Sequence, residues 1–120
     1  MRDLSIAAAC AAMLLSFSAW AAPQTPADGF MVINADGTVA RAAKGYSVFK
    51  FDTGSYEVTY VSSLHNCADS ISEGTSDATV PAQGFASVVG RDENPQVLEV
   101  GTYDASGHLA DRGFHLIIRC

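Results

Sequence analysis

The chain has 120 residues and a formal net charge of -6, with 7 Lys and Arg against 13 Asp and Glu and no basic run. That balance argues against nucleic acid and anionic membrane surfaces as partners, since neither is attracted to an acidic protein. The length suits one domain with a single core.

Met1, Arg2 and Asp3 form a short n-region, Leu4 to Phe17 is an uncharged run, and Ala19, Trp20 and Ala21 fit an A-x-A cleavage pattern. Residues 1–21 therefore read as a signal peptide. The alternative is an uncleaved anchor, but the segment is rich in small residues and ends in the cleavage pattern. Cys10 leaves with the signal; a lipoprotein reading of it fails because almost no hydrophobic run precedes it. Residues 22–29, with Pro23 and Pro26, form an extended start, and 30–120 form one β domain. The expected location is secreted or periplasmic, with no membrane attachment after cleavage. Two cysteines remain, Cys67 and Cys120. In an oxidising compartment they are most simply one disulfide, with free or intermolecular thiols as the alternative.

No stretch of the mature chain carries helical apolar spacing over ten residues, whereas several alternate with period two. Tyr56, Val58 and Tyr60 alternate with Glu57 and Thr59. Phe114, Leu116, Ile118 and Cys120 share the opposite parity from His115 and Arg119, which predicts a buried disulfide. Turn residues at 35–37, 52–55, 92–96 and 104–107 punctuate the pattern, because Asp and Asn bond their own backbone and Gly supplies positive φ. Strands are predicted at 30–34, 38–42, 45–51, 55–62, 66–72, 84–91, 97–103 and 108–119, an all-β antiparallel sandwich or barrel of seven to eight short strands. Residues 72–82 form the longest loop.

Asn34 to Arg41 and Asp104 to Asp111 share one plan: an acidic turn ending in Gly, a polar residue, an aliphatic, Ala and a charge. Two equivalent hairpins explain this, as does chance, since a turn dictates its own residues. The opening Val32 to Arg41 (V-x-N-x-D-G-x-x-A-R), the strand Gly54 to Val58 (G-x-Y-x-V), Cys67, and the ending Phe114-His115-Leu116 with Cys120 resemble a group of small exported bacterial β-domains. The resemblance implies an all-β fold and an extracytoplasmic compartment, and no particular activity.

Phe51-Asp52-Thr53-Gly54-Ser55 matches the active-site loop of aspartic proteases, in which two aspartates share a proton. Val88-Val89-Gly90-Arg91 is similar to the second signature of the retroviral enzymes. Only 33 residues separate Gly54 from Val88, too few for the flap and strands of that fold, and Lys50 stands where an apolar residue usually precedes the loop. A hairpin turn accounts for the motif without catalysis. For metals, His65, His108, His115, Asp104 and Asp111 are the available ligands, but no H-x-x-x-H, C-x-x-C or D-x-D-x-D-G spacing occurs. There is no G-x-S-x-G elbow, and Ser47 lies within a strand pattern. Tyr46, Tyr56, Tyr60 and Tyr103 are candidates for exposed aromatics that stack on a sugar ring, although core packing is the commoner fate of Tyr.

The sequence thus supports a monomeric exported β-domain, with no cofactor, that binds an extracytoplasmic protein or glycan or plays a structural part. Two alternatives stand beside it. One is a filament subunit, for which Gly107 is placed as in chaperone-assembled pilins while Arg119 replaces their penultimate Tyr. The other is an acid protease acting through Asp52.

Overall fold

The computed structural model describes residues 28–77 and 81–120. The expected signal peptide over 1–21, Cys10 and nearly all of the expected extended start lie outside the described residues. Eight strands are present: β1 (Gly29–Ile33), β2 (Val39–Ala42), β3 (Tyr46–Asp52), β4 (Ser55–Tyr60), β5 (Ala68–Glu73), β6 (Phe85–Gly90), β7 (Val97–Tyr103) and β8 (Phe114–Arg119). They form two four-stranded sheets, ordered β2-β1-β8-β5 and β3-β4-β7-β6, with every pairing antiparallel. We refer to these as the first and second sheets.

Alternation decides what each sheet buries. Met31 and Ile33 of β1 and Phe114, Leu116 and Ile118 of β8 face Tyr56 and Val58 of β4 and Leu98 and Val100 of β7, and all are essentially inaccessible. Tyr56 ties the two layers together. Its ring meets Phe114 edge-on at a centroid distance of 5.2 Å, and its hydroxyl donates to the Ala35 carbonyl at 2.6 Å, in the β1–β2 turn of the opposite sheet. Tyr46 and Tyr60, partners on β3 and β4, stack at 4.4 Å and pack against the same core.

The predicted strand over 108–119 divides in two. Leu109 bridges Tyr103 in the second sheet, while Phe114 opens β8 in the first, so residues 110–113 carry the chain across. Thr102, fully buried, holds the crossing. Its hydroxyl donates to the Ala110 carbonyl at 2.6 Å and accepts from the Arg112 amide at 3.3 Å. Glycine is needed at 113, because a Cβ there would lie 2.5 Å from the Gly74 carbonyl oxygen and 3.0 Å from that of Ile33.

The repeated turn plan corresponds to two matching hairpins, one in each sheet. In the first, the Asn34 amide donates to Thr38 O and the Gly37 amide to Asn34 O; in the second, Asp104 donates to His108 O and Gly107 to Asp104 O. Gly37 and Gly107 take φ of 87° and 86°. The carboxylate of Asp36 accepts from Thr38 and that of Asp104 from the Ser106 and His108 amides. Those bonds hold both carboxyls below the usual range.

Cys67 and Cys120 are joined, at a sequence separation of 53. Cys67 directly precedes β5, Cys120 directly follows β8, and Ala68 pairs with Arg119, so the bond fastens the ends of two neighbouring strands. Cys120 is exposed, in contrast to the buried disulfide predicted from parity. The inward parity is kept, but the strand has reached the rim. Closing so long a loop stabilises by about 4 kcal/mol in the chain-entropy model, an upper-end figure. Cys67→Ser with Cys120→Ser is therefore expected to lower the unfolding free energy from urea titration by most of that amount while leaving the fold in place; an unchanged unfolding free energy would refute the role.

At the seam between the edge strands β5 and β6 the inward positions of β5 are Asp69, Ile71 and Glu73. Asp69 Oδ1 is buried there without a hydrogen-bond partner among the described residues, and burial pushes its carboxyl upward; burial also raises Glu73, partly offset by Arg112 and the Gln83 backbone. A folded-state carboxyl raised above its unfolded value stabilises the fold below the unfolded pKa, and that contribution is lost as pH rises through the folded value. Asp69→Asn is thus expected to raise the melting temperature near pH 7 and change it little at about pH 3, read by far-UV circular dichroism. Equal shifts at both pH values would show that the carboxylate is hydrated.

Candidate functional site

The outer face of the second sheet carries large apolar side chains where solvent would favour polar ones. In β6, Phe85, Ser87 and Val89 point outward and the smaller Ala86 and Val88 inward, while β3 turns Phe49 and Phe51 outward. Phe49, Val89 and Phe85 are 65%, 59% and 50% exposed, a larger gathering than the Phe30 and Ile117 pair on the first sheet, which makes this face the candidate interaction surface.

Tyr103, at the end of β7, forms the floor. Its ring lies over Gly101, so close that a Cβ at 101 would be 2.7 Å from the tyrosine hydroxyl, and it stacks on Phe85, its partner on β6, at 4.8 Å and 14°. Leu109, bridging Tyr103 on the other side, and Phe51 form one wall, and Val89 stands opposite. Ser55 and Ser87 flank Gly101 in the same row. The resulting groove holds about 230 Å³.

One row further along, Glu57 on β4 and Glu99 on β7 are direct partners, an arrangement of like charges that disfavours pairing. Arg91, just past β6, resolves it. Its Nε donates to Glu99 Oε1 at 2.6 Å, Nη2 also contacts Glu99 Oε1, and Nη2 lies 3.1 Å from Glu57 Oε2. All three side chains stay partly open to solvent. A second depression, of about 250 Å³, opens at the end of the sandwich beside Leu64, His65, Asp69 and Pro95, but no Phe, Tyr or Trp lines it. The stacked rings, the serines and the carboxylate of Glu99 in the first groove make it the candidate, with Arg91 shared between Glu99 and the end depression.

Residues singled out from the sequence scatter. Asp52 lies exposed in the β3–β4 turn and accepts from the Thr53 amide at 2.7 Å, with Gly54 at φ 63°. Asp111 accepts from the Gly54 amide and pairs with Lys50 at 3.2 Å, and the amide contact holds its carboxyl low. His108 sits 3.7 Å from Asp104 in a hairpin, His65 lies by the end depression, and His115 contacts the Thr75 carbonyl from the first sheet. No group of three His, Cys, Asp or Glu gathers among the described residues. Gly107 is a hairpin turn, and Arg119 pairs with Asp28 from a β8 held between β1 and β5. Tyr46, Tyr56 and Tyr60 face the core, whereas Tyr103 is the tyrosine on the outer face. Sequence reasoning missed Phe85, Glu57 and Glu99 as site residues. A signal was present in β6, whose larger apolar residues share the parity of its serine.

No protein-family model and no curated protein matches the chain. Among solved structures, the phiAB6 tailspike, in complex with three-repeated oligosaccharides of Acinetobacter baumannii surface polysaccharide, is similar at a TM-score of 0.59 and 14% identity. The match covers 78% of this chain and 20% of the tailspike chain, so the chain spans about a fifth of the protein it resembles. At that identity the likeness concerns the fold.

Gly101→Ala tests the floor. The backbone there is ordinary strand, where Ala gains about 0.5–1 kcal/mol over Gly, so the fold is expected to persist while the Tyr103 ring is displaced. Nuclear Overhauser contacts between the Tyr103 and Phe85 rings should disappear; their survival would mean that Gly101 does not make the room.

Proposed function

We propose that this protein is an exported saccharide-binding module whose ligand lies in the groove on the outer face of the β3-β4-β7-β6 sheet. The observation that carries this reading is the Tyr103–Phe85 stack, its tyrosine ring packed against Gly101, beside hydroxyl and carboxylate groups. A sugar ring has one apolar C–H face and a rim of hydroxyls. An aromatic platform receives the face, and Ser55, Ser87 and Glu99 offer the rim hydrogen-bonding partners. A strand-borne site of this kind is preorganised, which limits the entropy lost on binding. The oligosaccharide complex of the similar tailspike supports the choice of ligand class. Export is supported by the Cys67–Cys120 bond, which an oxidising compartment sustains. No helix among the described residues is long and apolar enough to cross a membrane.

The test is retention of the purified protein by soluble polysaccharides in native affinity electrophoresis, followed by calorimetry on those that bind. Tyr103→Ala is expected to weaken binding by about tenfold or more, a factor of ten being about 1.4 kcal/mol. Its melting temperature should move little, because the ring lies outside the core. Retention by no glycan, or undiminished binding by Tyr103→Ala, would remove the proposal.

A further inference from the structure

We infer that the groove takes uncharged glycans and turns polyuronates away, and that the Glu57–Arg91–Glu99 cluster sets this selectivity. The inference rests on the saccharide-binding reading and concerns the class of saccharide. Glu99 and Tyr103 are four residues apart on β7, about 13 Å at the rise of a strand, so a ligand longer than one sugar ring that sits on the platform reaches the cluster.

What it meets there is decided by the pairing. A uronate would require a free cation, and Arg91, which lines the neighbouring end depression, is the guanidinium bonded to Glu99 at that end of the groove. Arg91 is already engaged, bonded to Glu99 through Nε and Nη2 and paired with Glu57 through Nη2. Two carboxylates against one guanidinium leave a negative charge beside the groove, in a chain whose net charge is -6. The partly open carboxylates keep lone pairs that accept from donors. Sugar hydroxyls donate. An ionised uronate carboxylate cannot, and it adds like-charge repulsion in a setting where such juxtaposition is costly. The groove therefore complements a polyhydroxylated, uncharged chain.

The experiment compares polygalacturonate with the same polymer after methyl esterification, together with galactomannan, mixed-linkage glucan and alginate, using the mature protein at low ionic strength. Retention by at least one uncharged polymer, with polygalacturonate and alginate bound about tenfold more weakly or not at all, is the expected result. The gap should narrow as salt is added, since the repulsion is between partly exposed charges. Glu57→Gln makes the cluster formally neutral and is expected to raise uronate retention severalfold. Arg91→Gln leaves both carboxylates unneutralised and should lower it further; thermal melts verify that both variants are folded. Uronates binding as well as uncharged polymers, in a manner that Tyr103→Ala abolishes, would overturn the selectivity and leave the saccharide site standing. Binding of no glycan, or binding indifferent to Tyr103, would overturn the site itself and the selectivity with it.

Discussion

The fold depends on the hand-over of the chain from one sheet to the other between Leu109 and Phe114. Antiparallel sheets stacked face to face need some strand connections to pass across the gap, and any backbone doing so loses its ladder partners. Here one buried hydroxyl, that of Thr102, supplies partners to Ala110 and Arg112, while the Thr102 amide donates to Gly54 O and its carbonyl accepts from the Ala110 amide. The crossing then delivers β8 into the middle of the first sheet, between β1 and β5, where three of its side chains complete the core.

The same hand-over shapes the outer face. Because the chain pauses beside β7 before crossing, Leu109 pairs with Tyr103 and rises as a wall next to the tyrosine ring. Gly101 leaves the space into which that ring folds, and Phe85 on β6 stacks against it. Three consecutive elements meet here because β6 and the 109–110 segment flank β7 on its two sides.

Electrostatics follows a similar division of labour. Near the hairpins, the Thr38 hydroxyl and amide hold Asp36 ionised, and backbone amides do the same for Asp104 and Asp111. This is the role that Asp52 also takes toward Thr53, as an Asp in a turn commonly does. At the β5–β6 seam burial alone raises Asp69, and it raises Glu73 against the opposing pull of Arg112 and the Gln83 backbone. On the open face, partial exposure lets one arginine hold two glutamates together without the desolvation cost of a buried cluster.

By itself the sequence determined the class of the fold and the position of every strand to within a few residues, apart from the split of 108–119, because period-two alternation and turn chemistry are local. It also pointed to the disulfide, since reading residues 1–21 as a signal leaves Cys67 and Cys120 as the pair that the structure joins. Tertiary structure alone decided which parity of β3 and β6 faces the core. Both parities of Tyr46 to Phe51 and of Phe85 to Val89 contain apolar residues, so alternation is silent on direction. It also decided that Glu57, Glu99 and Arg91 meet, and that Tyr103 reaches Phe85. Those contacts come from the lateral order β3-β4-β7-β6, which is set by the packing of the whole core and leaves no mark on any single segment.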